Sequence, residues 1–381
     1  MPAGPAPDVP PPRPAQAQPE TFTSVCPGCG SQLAYQPGTM MLHCDTCGTD
    51  VEIKPVDARI TEHSLDEWEA ANQNTFVAKI AAFELTCQNC GATSTTTDLS
   101  SICQFCGGAL VATDRPEGLI TPEAVIPFQV QKKQAHDEFG KWVTSRWFAP
   151  NALKKVGSTE GLTGTYLPHW TYDSNTATDY TGQRGDYYYT TETRQVSDGR
   201  GGWRTETYQQ RHTAWHHASG HVARPFDDVL VLGAHTLDPE KVQKMGPWRL
   251  GDAKPFQDEF LTGFAAVRYD LDPQAGAEQA KQQMVAVIQD DVRRDIGGDE
   301  QRISHMDVVY RDNMFKLLLM PLWIATYLYA GKTWQVMVNA NTGEVVGDRP
   351  YSAWKITLAV LAGVLLVAGI VAAVVLSRRS G

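Results

Sequence analysis

The chain has 381 residues, of which 42% are hydrophobic and 20% charged, and a formal net charge of −10. That length can hold two or more cores, and the composition excludes a chain too polar to fold. The negative balance disfavours a partner that presents phosphates, unless basic residues are concentrated locally.

Residues 1–20 are Pro- and Ala-rich and cannot bury a core, so they read as a disordered, partly extended tail. The tail has no basic stretch followed by an apolar run, as a secretory signal would require. A short Cys-rich module follows over 21–56 and another over 84–115. Between them, 57–83 reads as a helical linker, with Ser64 and Glu67 in a capping-box pattern. Residues 116–160 read as a helical segment. Thr121-Pro122-Glu123 is a helix-start signal that Pro127 soon interrupts, and the better helix is KKQAHDEFGKWVTSRWF, with Phe139, Trp142, Val143 and Trp147 as a core-facing stripe.

The span 161–350 reads as a β-rich α+β body. DYYYTTETRQV and WRTETYQQRHTAWHH are strand-like, and SDGRGG between them is a hairpin turn candidate. Asp272-Pro273 opens a helix with Ala277, Ala280, Met284, Ile288 and Val292 on one face, and Gly297 can cap its end. Strands resume near Ile303 and finish in WQVMVNANTGEVVG, a strand–turn–strand. Residues 351–381 hold an uncharged run from Ile356 to Leu376, flanked by Trp354, Lys355, Arg378 and Arg379. Its length and flanks predict one transmembrane helix. Two basic residues stand on each side, so the positive-inside count does not orient it. The expected fold is therefore an α+β multidomain chain: two N-terminal zinc ribbons, the body, and a C-terminal membrane anchor.

The chemistry-bearing residues are the cysteines. All eight stand in Cys-x-x-Cys pairs: Cys26/Cys29, Cys44/Cys47, Cys87/Cys90 and Cys103/Cys106. A two-residue spacer brings both sulfurs of a pair to one metal. The glycine after each pair permits the tight turn that aims backbone N–H groups at the thiolates. Each module thus predicts one structural Zn2+ with four cysteine ligands, iron being the minor alternative. Four thiolates close the coordination shell and leave no position for water or substrate. Thiolate-bound zinc also implies a reducing compartment, which places the large N-terminal part in the cytoplasm with a single pass in the cell membrane.

Other constellations are weaker. His212, His216, His217 and His221 look like a ligand cluster. On one strand, however, residues four apart lie about 13 Å apart, too far to share a metal. Pro168-x-Trp170 is echoed by Pro321-x-Trp323. There is no Gly-x-Ser-x-Gly, no His-Glu-x-x-His and no phosphate loop, since Thr326 stands five residues before Gly331-Lys332-Thr333. No catalytic residue and no small-molecule substrate are inferred.

The two Cys modules resemble zinc ribbons of the transcription factor IIB type. The whole layout is similar to an uncharacterised bacterial family of zinc-ribbon membrane proteins, through RWFAPNAL, YLPHWTYD, YTGQRGDYY, RRDIGGDEQRI and TGEVVGDRPYS. That family is sometimes labelled as related to the primosomal replication-restart helicase. The resemblance implies zinc binding and membrane attachment, and no reaction. NANTGEVVG also resembles the end of PepSY-type domains. From Glu20 to Thr113 there are eleven acidic and three basic residues, the wrong sign for phosphate binding. The expected role is a tail-anchored interaction or scaffold protein whose ribbons form a distal head for a protein partner. A nucleic-acid-associated factor held at the membrane is the alternative.

Overall fold

The computed structural model describes residues 25–72, 83–86, 93–96, 100–102, 109–111, 120–145, 162–197, 199, 201–235, 237, 239–329, 332–347 and 353–379. Three short strands, β1 (Ala34–Tyr35), β2 (Met41–His43) and β3 (Asp50–Glu52), make the antiparallel sheet of the first ribbon. Next come β4 (His63–Ser64) and helix α1 (Leu65–Asn72). The Ser64 Oγ accepts from the Glu67 N–H at 3.3 Å, the N-terminal half of the expected capping box. The second module contributes β5 (Phe83–Thr86) paired with β6 (Thr93–Thr96), and β7 (Ser100–Ile102) paired with β8 (Ala109–Val111).

Thr121-Pro122-Glu123 does not begin a helix. The chain there enters β9 (Ala124–Val125), and the better helix forms where expected, as α2 (Lys132–Thr144), with Trp147 outside the described residues. Ala135, Phe139 and Val143 are its buried face.

Two very long strands follow, β10 (Thr163–Ser197) and β11 (Trp203–Leu232), joined at the expected turn. After a short helix α3 (Pro239–Gln243), β12 (Lys254–Pro255) and β13 (Ala265–Ala266) come α4 (Pro273–Ile296) and β14 (Glu300–Tyr329). The hairpin β15 (Lys332–Asn339) and β16 (Val345–Gly347) and the helix α5 (Ala353–Arg379) complete the chain. Helix α4 has the expected ends: the Asp272 side chain accepts from the Ala275 N–H at 2.8 Å, and Gly297 takes a positive φ of 66°.

The expected α+β class is overturned. Among the described residues 45% are in strands and 28% in helices, and one large antiparallel sheet dominates. Its spine is β11–β10–β14, paired antiparallel along most of their length. Composition cannot show how far a Tyr- and Thr-rich segment runs before it turns. Here one strand continues for 35 residues, where short strands are the norm.

The membrane anchor is also corrected. Among the described residues no helix is long and apolar enough to cross a membrane. The expected span lies within helix α5. The membrane as a partner and the tail-anchored, single-pass placement are therefore withdrawn.

Coverage divides the spine. From Gly164 to Tyr172 every residue of β10 is buried, as expected where both faces of a strand are covered. Farther on, burial alternates. Ser174, Thr176, Thr178 and Tyr180 face α4, which lays Ala277, Ala280, Met284, Ile288, Val292 and Ile296 over the sheet. Beyond Gly185, which pairs with Glu300 at the start of β14, β10 and β11 continue as a two-stranded arm. Asp186–Ser197 alone extends about 40 Å at 3.3 Å per residue.

The first ribbon is not a distal head. Leu33, Tyr35, Leu42 and Ile53 share one hydrophobic core with Phe128, Phe260, Phe264 and Trp323 of the body. Tyr35 packs edge-on against Phe260 at 5.4 Å, and its N–H donates to the Thr262 carbonyl at 2.9 Å. Phe128 stacks on Phe264 with ring centroids 4.0 Å apart.

Candidate metal centre

The two knuckles of the first ribbon are built alike. The Gly30 N–H donates to the Cys26 carbonyl at 2.9 Å, and the Gly48 N–H to the Cys44 carbonyl at 2.8 Å. Gly30 and Gly48 have φ of 74° and 73°, a region costly for any residue with a Cβ. The turns place Cys26, Cys29, Cys44 and Cys47 so that all four Sγ atoms lie within 4.8 Å of one another. Cys26 Sγ is 3.6 Å from Cys47 Sγ, and Cys29 Sγ is 3.6 Å from Cys44 Sγ. A tetrahedral zinc with bonds of about 2.3 Å sets sulfurs about 3.8 Å apart, so the four fit such an ion.

The surroundings favour thiolates at Cys26, Cys29 and Cys47, whereas burial and the neighbouring thiols push Cys44 up to about 11. The Gly28 N–H points at Cys26 Sγ from 3.4 Å. The Ser31 hydroxyl and N–H hold the Cys29 thiol below its ordinary pKa, and those of Thr49 do the same for Cys47. A Cβ on Gly28 would press on the Thr49 hydroxyl at 3.0 Å, so this cradle admits only glycine without a shift. Cys26 and Cys44 are buried against the body core, while Cys29 and Cys47 face solvent. This cluster can hold one metal ion. Cys87, Cys90, Cys103 and Cys106 lie outside the described residues.

The structure also assembles a group that local sequence reading missed. Glu62, Asp173 of β10 and Asp228 of β11 converge on Lys316 of β14. Lys316 Nζ is 2.7 Å from both Glu62 Oε1 and Asp228 Oδ1. The Asp228 N–H donates to Asp173 Oδ1 at 2.6 Å. Asp173 sits where β10 slips register against both neighbours, and Asp228 has a φ of 54°. Bulges re-aim side chains in this way. Burial pushes the Asp173 carboxyl up to about 6, with the adjacent Glu62 carboxylate adding to the rise. Lys316 donates to Glu62 and holds that carboxyl below its usual range. Three carboxylates could in principle grip a cation, but the Lys316 ammonium already occupies that role. The cluster therefore joins the segment leaving the first ribbon to all three spine strands. No spacing signals it, because its members are scattered from 62 to 316.

The four histidines of β11 do not converge. His212 stacks on Tyr188 and bonds the Thr190 hydroxyl at 2.7 Å, while His221 pairs with Asp179 at 2.8 Å. The two Pro-x-Trp motifs lie on adjacent antiparallel strands, with Pro168 opposite Leu319 and Trp323 opposite Gly164. Each indole N–H donates to a backbone carbonyl, Trp170 to Leu271 and Trp323 to Val130, which is core anchoring.

No family model matches the chain, and no solved structure matches it. Among curated proteins, the uncharacterised protein YdjG of Bacillus subtilis (strain 168) is 25% identical over 336 residues. The match covers 87% of this chain and 91% of that protein. The likeness is one of whole layout, and it brings no activity with it.

Proposed function

We propose that the chain is a zinc-stapled scaffold that presents its β-arm to a protein partner and has no catalytic activity of its own. The metal is Zn2+, two per chain: one at Cys26, Cys29, Cys44 and Cys47, the other at Cys87, Cys90, Cys103 and Cys106. A shell of four thiolates suits a structural ion, because it leaves no open position for chemistry. The observation that carries the interaction role is the arm. It extends past the end of β14 and exposes Tyr188, Tyr189 and Trp203, the last at 73%. Aromatic side chains held out on a rigid element favour protein contact.

The interaction is tested by placing a photo-crosslinking residue at Tyr189 of the full chain in cells and identifying adducts by mass spectrometry. A defined protein adduct, lost on Trp203→Ser and absent for the same probe at exposed Gln279, is expected. Equal labelling from the two positions would sink the interaction role. Metal analysis of purified protein is expected to return two zinc ions per chain, and none would reject the zinc assignment.

A further inference from the structure

The two faces of the arm differ. Directly paired residues of an antiparallel ribbon share a face. One face carries the pairs Tyr188–His212, Glu192–Tyr208 and Arg194–Glu206. Three of its rows are tied within the arm: Arg194 bonds Glu206 at 2.9 Å, Tyr208 bonds Glu192 at 3.0 Å, and Tyr188 stacks on His212.

The other face has five rows: Tyr189–Arg211, Thr191–Gln209, Thr193–Thr207, Gln195–Thr205 and Ser197–Trp203. All ten residues are exposed, and Arg211 is the one charged residue among them. Aromatic rings stand in the two outermost rows, with hydroxyls and amides between them. The rows are symmetric about Thr193–Thr207. A second copy laid face to face and antiparallel, with a twofold axis at that row, sets the Tyr189–Arg211 row of each chain over the Ser197–Trp203 row of the other, so that Arg211, which lies over the Tyr187 ring of its own chain at 4.2 Å, faces Trp203. That is a cation–π pair, and the hydroxyl and amide rows between, where Gln195 Nε2 donates to Thr205 Oγ1 at 3.2 Å, can exchange hydrogen bonds.

Charge points to the same occupant. The whole chain is at −10, so two copies repel in general. The arm from Asp186 to Ala214 holds four acidic residues (Asp186, Glu192, Asp198 and Glu206) and four basic ones (Arg194, Arg200, Arg204 and Arg211). Its own charges balance, so two arms meet without net repulsion. A lone two-stranded ribbon is also marginal in water, and a second layer over this face supplies what it lacks.

We propose that the arm is a self-association element, its exposed Thr-rich face pairing with the same face of a second copy about a twofold axis at Thr193 and Thr207. This rests on the interaction reading above and names the partner as a second copy of this chain. The contact is small: about 27 Å by 10 Å per side, below the area of a stable dimer, so the dimer is weak and concentration-dependent.

Sedimentation equilibrium of the full chain tests it. Wild type is expected to dimerise weakly, at about 0.1–1 mM. Thr193→Arg sets two like charges across the axis at an exposed position and should weaken association at least tenfold, as should Thr193→Glu. An equimolar mixture of these two variants should regain dimer, which damage to the fold would not produce. A wild type that stays monomeric at about 1 mM, association untouched by Thr193→Arg, or a mixture that fails to recover would each overturn self-pairing. Photo-crosslinks from Tyr189 to a different protein would overturn it too, while leaving the broader interaction reading standing.

Discussion

The body end and the arm end of β10 are one continuous strand under opposite conditions. At Tyr166 and Trp170 the strand has other elements on both faces and its side chains are fully buried. At Tyr189, farther along the same strand, the backbone holds a side chain 60% exposed. Hydrogen-bond pairing to β11 is continuous through both regions apart from the slip at Asp173. Backbone pairing thus sets the shape, and coverage decides stability. The body is held by packing and by a ribbon, carrying the four-cysteine cluster, that is sunk into its core. The arm is held by ladder bonds, cross-strand ion pairs and ring contacts.

The sharpest way to separate the two regions is to remove the staple. Cys44→Ser should release the metal of the first ribbon and loosen the core it shares with Phe128 and Phe260. Binding energy at such a site acts as folding energy, so the melting temperature should fall by more than about 10 °C in calorimetry. An unchanged melting temperature would mean that the ribbon folds apart from the body.

A smaller effect comes from matched truncations. Phe128→Ala removes a fully buried ring and should cost about 3–5 kcal/mol by denaturant unfolding. Thr191→Ala on the exposed arm face should change stability by less than about 0.5 kcal/mol. Comparable costs would erase the distinction drawn here.

The smallest effect lies at the bulge between the two regions. Asp173 has a raised pKa in the folded protein and an ordinary one when unfolded. Above pH 6 it is charged in both states, and its burial opposes folding. As pH falls from 6 towards 4, the folded protein takes up the proton first and gains stability. Asp173→Asn lacks this response. It should exceed wild type by about 1 kcal/mol at pH 8, an advantage that shrinks towards pH 4. Unfolding curves measured across that range with parallel pH dependence would remove Asp173 as the source.

The four-cysteine cluster of the first Cys module, the caps of α1 and α4, and the turns after β10 and β15 were legible because each depends on short sequence signals within a few positions of one another. Cys-x-x-Cys-Gly dictates a knuckle through bond geometry alone, and Asp272-Pro273 dictates a helix start through one side-chain hydrogen bond. The Lys316 cluster was not legible, since its four members meet only after three long strands have paired. The class of the fold was misjudged for a related reason. Periodicity marks Tyr- and Thr-rich segments as strand, but cannot say that one strand runs on for 35 residues or what covers it. The spacing of the cysteines and the local starts and stops were therefore determined by the sequence itself. The burial of the first ribbon against the body, the bulge that gathers the carboxylates, and the bare face of the arm were decided by tertiary structure, because solvent coverage depends on contacts between residues remote in the chain.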